Sequence, residues 1–148
     1  MKALIIYHSE HHGNTKKVAD VIGQALGAKI VRSTDAGSLD IAGYDLIGFG
    51  SGVYYSKLHE ILVSFVERLT EQREKKAFIF STTGSKTYSM RAHEAFKDVL
   101  VRKGFQIIGE FSCLGFDTAL SAEGINRGKP DAGDLKDAQR FAKGLANK

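Results

Sequence analysis

Three polar clusters interrupt the apolar runs of this chain, and each has residue types that can hold part of a ligand. The first is His8, Ser9, Glu10, His11, His12, Gly13, Asn14 and Thr15, directly after Ala-Leu-Ile-Ile-Tyr. A short polar loop that feeds a helix start presents unpaired N–H groups at the positive end of the helix dipole, which is anion-binding chemistry. Ser9, Asn14 and Thr15 add neutral donors, and Gly13 lets the backbone approach closely. The plainer alternative is that Asn14 or Thr15 merely caps the helix. The second cluster follows Gly48-Phe49-Gly50 and reads Ser51, Gly52, Val53, Tyr54, Tyr55, Ser56, Lys57. Glycine and paired aromatics at a strand end suit a flat ligand, although either tyrosine alone can equally pack on a neighbouring helix. The third is Ser81, Thr82, Thr83, Gly84, Ser85, Lys86, Thr87 and Tyr88, again hydroxyl-rich and containing glycine.

Other chemistries are weaker. His8, Glu10, His11 and His12 are metal-ligand types, but adjacent histidines on a loop lack helical i, i+4 geometry, and no carboxylate or thiolate partner is evident by spacing. The expectation is therefore no metal. His59 and His93 lie near helix starts, where histidines more often cap or pack than catalyse. Cys113 has no visible activating neighbour and reads as a buried, inert thiol. The connection from Cys113 to Pro130 is long for an ordinary link, which marks it as functional or as a cover for the last strand.

Apolar runs of strand length at 2–7, 28–33, 44–50, 76–82 and 105–112 alternate with helical patterns. Val18, Val21, Ile22, Ala25 and Leu26 share one helix face, with Gly27 as a left-handed cap, predicting a helix over 14–26. Ile61, Leu62, Phe65, Val66 and Leu69 form a second stripe. Ala92, Ala95, Phe96, Val99 and Leu100 form a third, closed by Gly104, and Leu135, Ala138, Phe141, Ala142 and Leu145 a fourth. Alternation of this kind implies a parallel sheet with crossover helices, and the near-continuous apolar first, third and fourth strands belong at its centre. Right-handed crossovers leave a doubly wound α/β sheet, whose ligands lie beyond the carboxyl ends of its strands where the chain order switches. All three polar clusters fall on that edge.

Composition narrows the class. The 148 residues suit one domain spanning 1–148, with 43% hydrophobic and 26% charged residues, 16 Gly and 1 Pro, which is ordinary globular usage. No apolar run reaches the roughly 20 residues of a membrane span, and the opening apolar stretch is too short for a secretory core. With a single cysteine, the expected location is the reducing cytoplasm. Lys and Arg number 21 against 17 Asp and Glu, a net charge of +4. That excess is small and scattered, so nucleic acid is not an expected partner.

The first loop resembles the phosphate-binding loop of the flavodoxins, Ser/Thr-x-Ser/Thr-Gly-x-Thr, whose second half Gly13-Asn14-Thr15 matches as written. The first half departs: Glu10 and His12 occupy places where hydroxyls are usual, and the loop is one residue longer. The resemblance extends by element order over nearly the whole chain. It implies a flavodoxin-like, doubly wound, five-stranded sheet of order 2-1-3-4-5 with helices on both faces, and one noncovalent FMN. It also implies cofactor contacts from Ser9, His11, His12, Gly13, Asn14 and Thr15 to the phosphate. Ser51, Gly52, Val53, Tyr54 and Tyr55, with Thr83, Gly84, Ser85, Lys86 and Tyr88, would flank the ring. Histidine would replace threonine as a phosphate donor, and Glu10 would have to turn outward. Lys86 beside the ring would raise the potential by favouring an anionic reduced flavin. No side chain need act as a catalytic acid or base.

The implied function is electron transfer between redox partner proteins or to a small-molecule acceptor. The second reading is an FMN-dependent oxidoreductase acting on a quinone or porphyrinogen-type substrate. It draws on a weak likeness of Gly-Phe-Gly-Ser-Gly-Val-Tyr-Tyr-Ser-Lys-Leu-His to the flavodoxin-fold protoporphyrinogen oxidases. Typical flavodoxins are acidic and steer basic partners, so the positive charge here points to different ones. A response-regulator receiver has the same architecture but needs an acidic cluster after the first strand and an aspartate after the third. Here those places hold His8, Ser9, Glu10 and Gly50, Ser51, Gly52.

Overall fold

The chain alternates strands and helices as its apolar pattern dictates: β1 (Ala3–His8), α1 (Asn14–Leu26), β2 (Lys29–Arg32), β3 (Leu46–Tyr54), β4 (Lys57–Leu58), α2 (Glu60–Arg68), β5 (Lys75–Thr83), α3 (Lys86–Arg102), β6 (Phe105–Leu114) and α4 (Ala132–Leu145). This computed structural model describes residues 1–10, 12–117 and 123–148. Five strands run parallel in the order β2-β1-β3-β5-β6, and the two-residue β4 folds back antiparallel on β3. The sheet is the expected doubly wound one, with the hairpin strand as an addition.

Strand residues alternate between two cores. Leu4, Ile6, Ile47, Phe49 and Ile79 pack against Leu62, Phe65 and Val66 of α2 and Ala92, Phe96 and Leu100 of α3. Ile5, Tyr7, Phe78 and Phe80 meet Val18, Ala19 and Ile22 of α1 and Ala138, Ala142 and Leu145 of α4. Central strands buried on both faces require this unbroken apolar composition. Gly48 and Gly50 are flat seats for rings from the next strand: a Cβ at either would stand 2.2 Å from the Phe78 or Phe80 ring.

α1 spans the residues expected of it and is closed by Gly27 in the left-handed region, φ 63. α4 opens with a capping box between Asp131 and Asp134. β3 differs from expectation. It continues four residues beyond Gly50, because Ser51 pairs with His8 on one side and Gly52 with Thr82 on the other. Its end, Val53 and Tyr54, then pairs with Leu58 and Lys57 around a two-residue turn. Tyr55 and Ser56 in that turn have φ 51 and 62. Such turns usually carry Asn-Gly, so Tyr-Ser gave no hairpin signal. Lys86 and Tyr88 likewise belong to the first turn of α3 instead of the preceding loop. Among the described residues no helix is long and apolar enough to cross a membrane.

Candidate functional site

β1 and β3 are neighbours whose chains leave in opposite directions, β1 back toward β2 and β3 on toward β5. The crevice beyond their carboxyl ends is the switch point of the sheet. The loop after β1 reaches α1 through Gly13, whose φ of 69 and ψ of 22 put it in the left-handed region as the helix N-cap, with no side chain capping the helix. The first turn holds no acidic residue. Among the described residues the Lys16 N–H donates to Ser9 Oγ at 3.4 Å and the Lys17 N–H to the Gly13 carbonyl at 3.2 Å. The Asn14 and Thr15 amides ahead of them have no acceptor among the described residues and are open donors at the positive end of a 13-residue helix.

The side chains of this loop are arranged around that opening. Thr15 is buried and its hydroxyl lies 2.8 Å from that of Thr82, tying α1 to β5. Asn14 Nδ2 donates to the Phe116 carbonyl at 2.8 Å, while Asn14 Oδ1 is buried with no partner. His12 packs its ring 4.3 Å from that of Phe116. Asn14 and Thr15 thus leave mainly their backbone N–H groups to the opening. His11 lies outside the described residues.

The residues expected to flank a ring fall into two groups. Ser51 is fully buried; its hydroxyl donates to the Gly52 carbonyl at 2.6 Å and accepts from the His59 N–H at 3.0 Å, fixing the strand end. Gly52 and Val53 extend the crevice wall, and Tyr54 folds back so that a Cβ on Gly52 would sit 3.2 Å from its hydroxyl. Tyr55 is fully exposed at the hairpin tip. Across the crevice, the buried Thr83 hydroxyl donates to the Ser85 carbonyl at 2.7 Å and accepts from the Ser85 N–H at 3.1 Å. Gly84 offers its carbonyl to Asn126 Nδ2 at 3.1 Å. Ser85 is the N-cap of α3, and Lys86 and Tyr88 are exposed just beyond it.

The long connection joins these walls. Gly115 N–H donates to the Thr83 carbonyl, and Asn126 reaches Gly84 while Phe116 receives Asn14. It therefore clasps the start of α1 to the β5–α3 loop. Neither Phe116 nor Asn126 carried a sequence signal for this role, since the Asn14–Phe116 bond spans 102 residues.

A second group of side chains meets under Tyr54. Glu10 turns toward His8, with its Oε1 3.0 Å from His8 Nε2 and 3.5 Å from His59 Nε2. The two imidazoles stack at 3.8 Å, and the Tyr54 ring stands edge-on to His59 at 5.2 Å. Burial, with Glu10 second, pushes the Tyr54 phenol up to about 12. Burial and then His8 hold His59 below its ordinary value, against the opposing pull of Glu10 and Glu60. These residues provide a carboxylate partner that spacing did not reveal, because the fold brings His59, the N-cap of α2, onto His8 at the end of β1.

The geometry is that of a hydrogen-bonded acid–base cluster, and the ligand-type atoms of His8, Glu10 and His59, all within 4.8 Å of one another, are also close enough together to hold a metal ion. His59 Nδ1 accepts from the Ile61 N–H at 3.1 Å, so in the neutral ring the proton is on Nε2, facing Glu10. His8 Nδ1 is 2.9 Å from Ser33 Oγ.

A Ser-His-Glu alignment occurs elsewhere. Ser81 Oγ lies 2.7 Å from His93 Nε2, and His93 Nδ1 lies 3.1 Å from Glu110 Oε1. The order of groups is that of a nucleophile, its base and an orienting acid. Ser81 is fully buried, however, and donates to Ser112 at 3.0 Å. With no exposed nucleophile, the alignment is a polar tie between β5, β6 and α3.

Residues 4–111 match the Flavodoxin domain family. An uncharacterised protein of Methanocaldococcus jannaschii is 42% identical over 148 residues, covering 98% of each chain. Among solved structures, a flavodoxin from the domain Archaea superposes with a TM-score of 0.73 at 20% identity, covering 99% of this chain and 97% of that one. A flavodoxin of Streptococcus pneumoniae gives 0.72 at 22% identity, covering 99% of both. At those identities the structural likeness is one of fold. The match over most of its length shows that the chain belongs to the flavodoxin domain family.

Proposed function

We propose that this protein, acting as a single domain in the cytoplasm, binds one FMN noncovalently and carries electrons between redox partner proteins or to a small-molecule acceptor. The observation that carries the reading is the set of open amides at the start of α1, where no side chain caps the helix and no acidic residue stands in the first turn. The donor set fits a phosphate: the amides at the start of α1 and the Ser9 hydroxyl are donors suited to a dianion, and imidazole, the side chain of His11 and His12, is a donor type of the same kind. Glu10, whose charge would repel it, is held by His8 and His59 instead. Asn14 Oδ1, buried without a partner, is an acceptor for a ligand hydroxyl. A bare apolar groove would not need either feature.

When bound, FMN supplies the electron chemistry itself. The protein residues bind and orient it. Gly13, Asn14 and Thr15 hold the phosphate through their N–H groups. Ser51, Gly52, Val53, Tyr54 and Tyr55 form one wall for the ring and Thr83, Gly84, Ser85, Lys86 and Tyr88 the other. Lys86, exposed on the first turn of α3, supplies positive charge that favours the reduced form.

The direct test is the visible spectrum of the purified protein with added FMN, together with dissociation constants for FMN and riboflavin. FMN is expected to bind at micromolar concentrations or below, and riboflavin far more weakly. Equal affinities would remove the phosphate from the assignment, and no flavin binding would overturn the reading.

A second reading, an FMN-dependent oxidoreductase acting on a quinone or porphyrinogen-type substrate, is favoured by the acid–base cluster of His8, Glu10, His59 and Tyr54, which can hold a proton beside the crevice. Steady oxidation of NAD(P)H by a quinone without a separate reductase would select it over the carrier.

A further inference from the structure

We propose that the tip of the β3–β4 hairpin and the exposed face of the first turns of α3 form a docking surface for an acidic electron-carrier protein. This rests on the carrier reading above and adds the kind of partner and the residues that meet it.

Large apolar side chains stand out of the protein here. Tyr55 is fully exposed, Met90 71% and Tyr88 51%. Tyr55 is the most telling, because it occupies a left-handed turn position, φ 51, that glycine or asparagine would fill without strain. A non-glycine residue there costs on the order of 1–2 kcal/mol, and no packing offsets it, since the ring touches solvent alone. The hairpin leans on α3, which brings Lys57 of β4 beside the helix that carries Lys86 and Arg91. All three cations are exposed, and among the described residues none has a carboxylate partner. By contrast, Lys16, Lys97 and Lys129 are each held by neighbouring acids. Nearby negative charge is also engaged: Glu94 pairs with Lys97, and Glu10 with the histidines. The start of α3 adds its positive dipole end.

The result is a surface of exposed aromatic and thioether side chains interspersed with cations that have no carboxylate partner among the described residues, on the hairpin tip and the first turns of α3. Its complement is a carboxylate-rich protein surface with an apolar centre. An anionic membrane would meet the same charges, but three apolar side chains on a hairpin and a helix end bury far less than an interfacial amphipathic helix. The overall charge of +4 steers in the same direction.

The test uses the whole chain, isotopically labelled, both flavin-free and with FMN added. It is titrated with a plant-type [2Fe–2S] ferredoxin as the acidic probe, cytochrome c as the basic one and phosphatidylserine vesicles. Titrations at about 20 mM and about 200 mM salt bracket a Debye length of ~10 Å. Ferredoxin is expected to perturb amides at 54–58 and 86–92 in both forms, with affinity falling at least about tenfold at the higher salt. The double variant Lys57→Glu, Arg91→Glu is expected to lose about tenfold in ferredoxin affinity, about 1.4 kcal/mol, with FMN affinity unchanged. Tyr55→Asn, which relaxes the turn, is expected to weaken ferredoxin binding while raising thermal stability. Preference for cytochrome c, binding to vesicles alone, shifts confined to other faces, or unchanged affinity in the double variant would each overturn the proposal. Failure to bind FMN would instead count against the carrier reading, because docking is read separately on the flavin-free chain.

Discussion

His93 illustrates what a single buried polar residue does here. Its ring joins Ser81 to Glu110, whose other oxygen holds Lys97 at 3.0 Å. Burial is the main cause holding His93 below its ordinary value, against the pull of Glu110. A histidine lowered in the folded state favours folding above its unfolded value near 6.5, and that contribution is lost as pH falls through the folded value. Thermal melts are therefore expected to show lower stability at about pH 5 than at about pH 7.5, with His59 acting in the same direction. His93→Leu removes one partner from the buried Ser81 hydroxyl and one from the Glu110 carboxylate, and is expected to cost about 2 kcal/mol while flattening that pH dependence. An unchanged pH slope in this variant would mean that other groups dominate acid unfolding. Cys113 gives a second residue-level prediction. Burial pushes its thiol up to about 12, so it should resist thiol reagents in the native protein and react on unfolding. The inert thiol was readable from the lack of activating neighbours, but the Ser81–His93–Glu110 tie was not, since its members come from three elements.

At the scale of elements, the strand glycines decide how β3 and β5 meet. Gly50 seats the Phe80 ring, and a methyl group placed there would stand 2.2 Å away. Gly50→Ala is expected to destabilise by about 1–3 kcal/mol, as overpacked cores do. Pairing it with Phe80→Leu should recover part of that loss, a coupling visible in a double-mutant cycle of denaturant midpoints. Additive losses would mean that the ring moves aside on its own. The α1–β5 contact has a polar counterpart: Thr15→Val removes the bond to Thr82 and is expected to cost about 1 kcal/mol. Helix positions were legible from their apolar stripes, and α1 spans 14–26 as its pattern predicts. The extension of β3 into a hairpin was not, because Ser51, Gly52, Tyr55 and Ser56 have the composition of a loop; pairing with β1 and β5 holds Ser51 and Gly52 extended, and Tyr55 and Ser56 form the turn into β4.

For the molecule as a whole, a ligand that binds only the folded chain stabilises it by mass action. FMN at about 100 times its dissociation constant is expected to add about 2.7 kcal/mol, seen as a rise in melting temperature that grows with FMN concentration. Riboflavin at the same concentration should give a clearly smaller rise. Equal shifts would indicate that the open amides of α1 contribute little. The positive net charge belongs to this scale too, since it governs which partners are drawn to the molecule without affecting how the sheet is wound.

The sequence by itself determined the architecture and one edge of the molecule. Period-2 and period-3.6 apolar patterns are local, and a parallel sheet with right-handed crossovers leaves few ways to join them. The same logic put three polar clusters at one set of strand ends. Only the tertiary structure decided which side chains face the crevice and which serve the fold. Thr15 turned to Thr82, Asn14 to Phe116, and Glu10 to His8 and His59. Those partners lie 67, 102 and up to 49 residues away. Contacts over such separations are set by strand order and register, which no local pattern encodes.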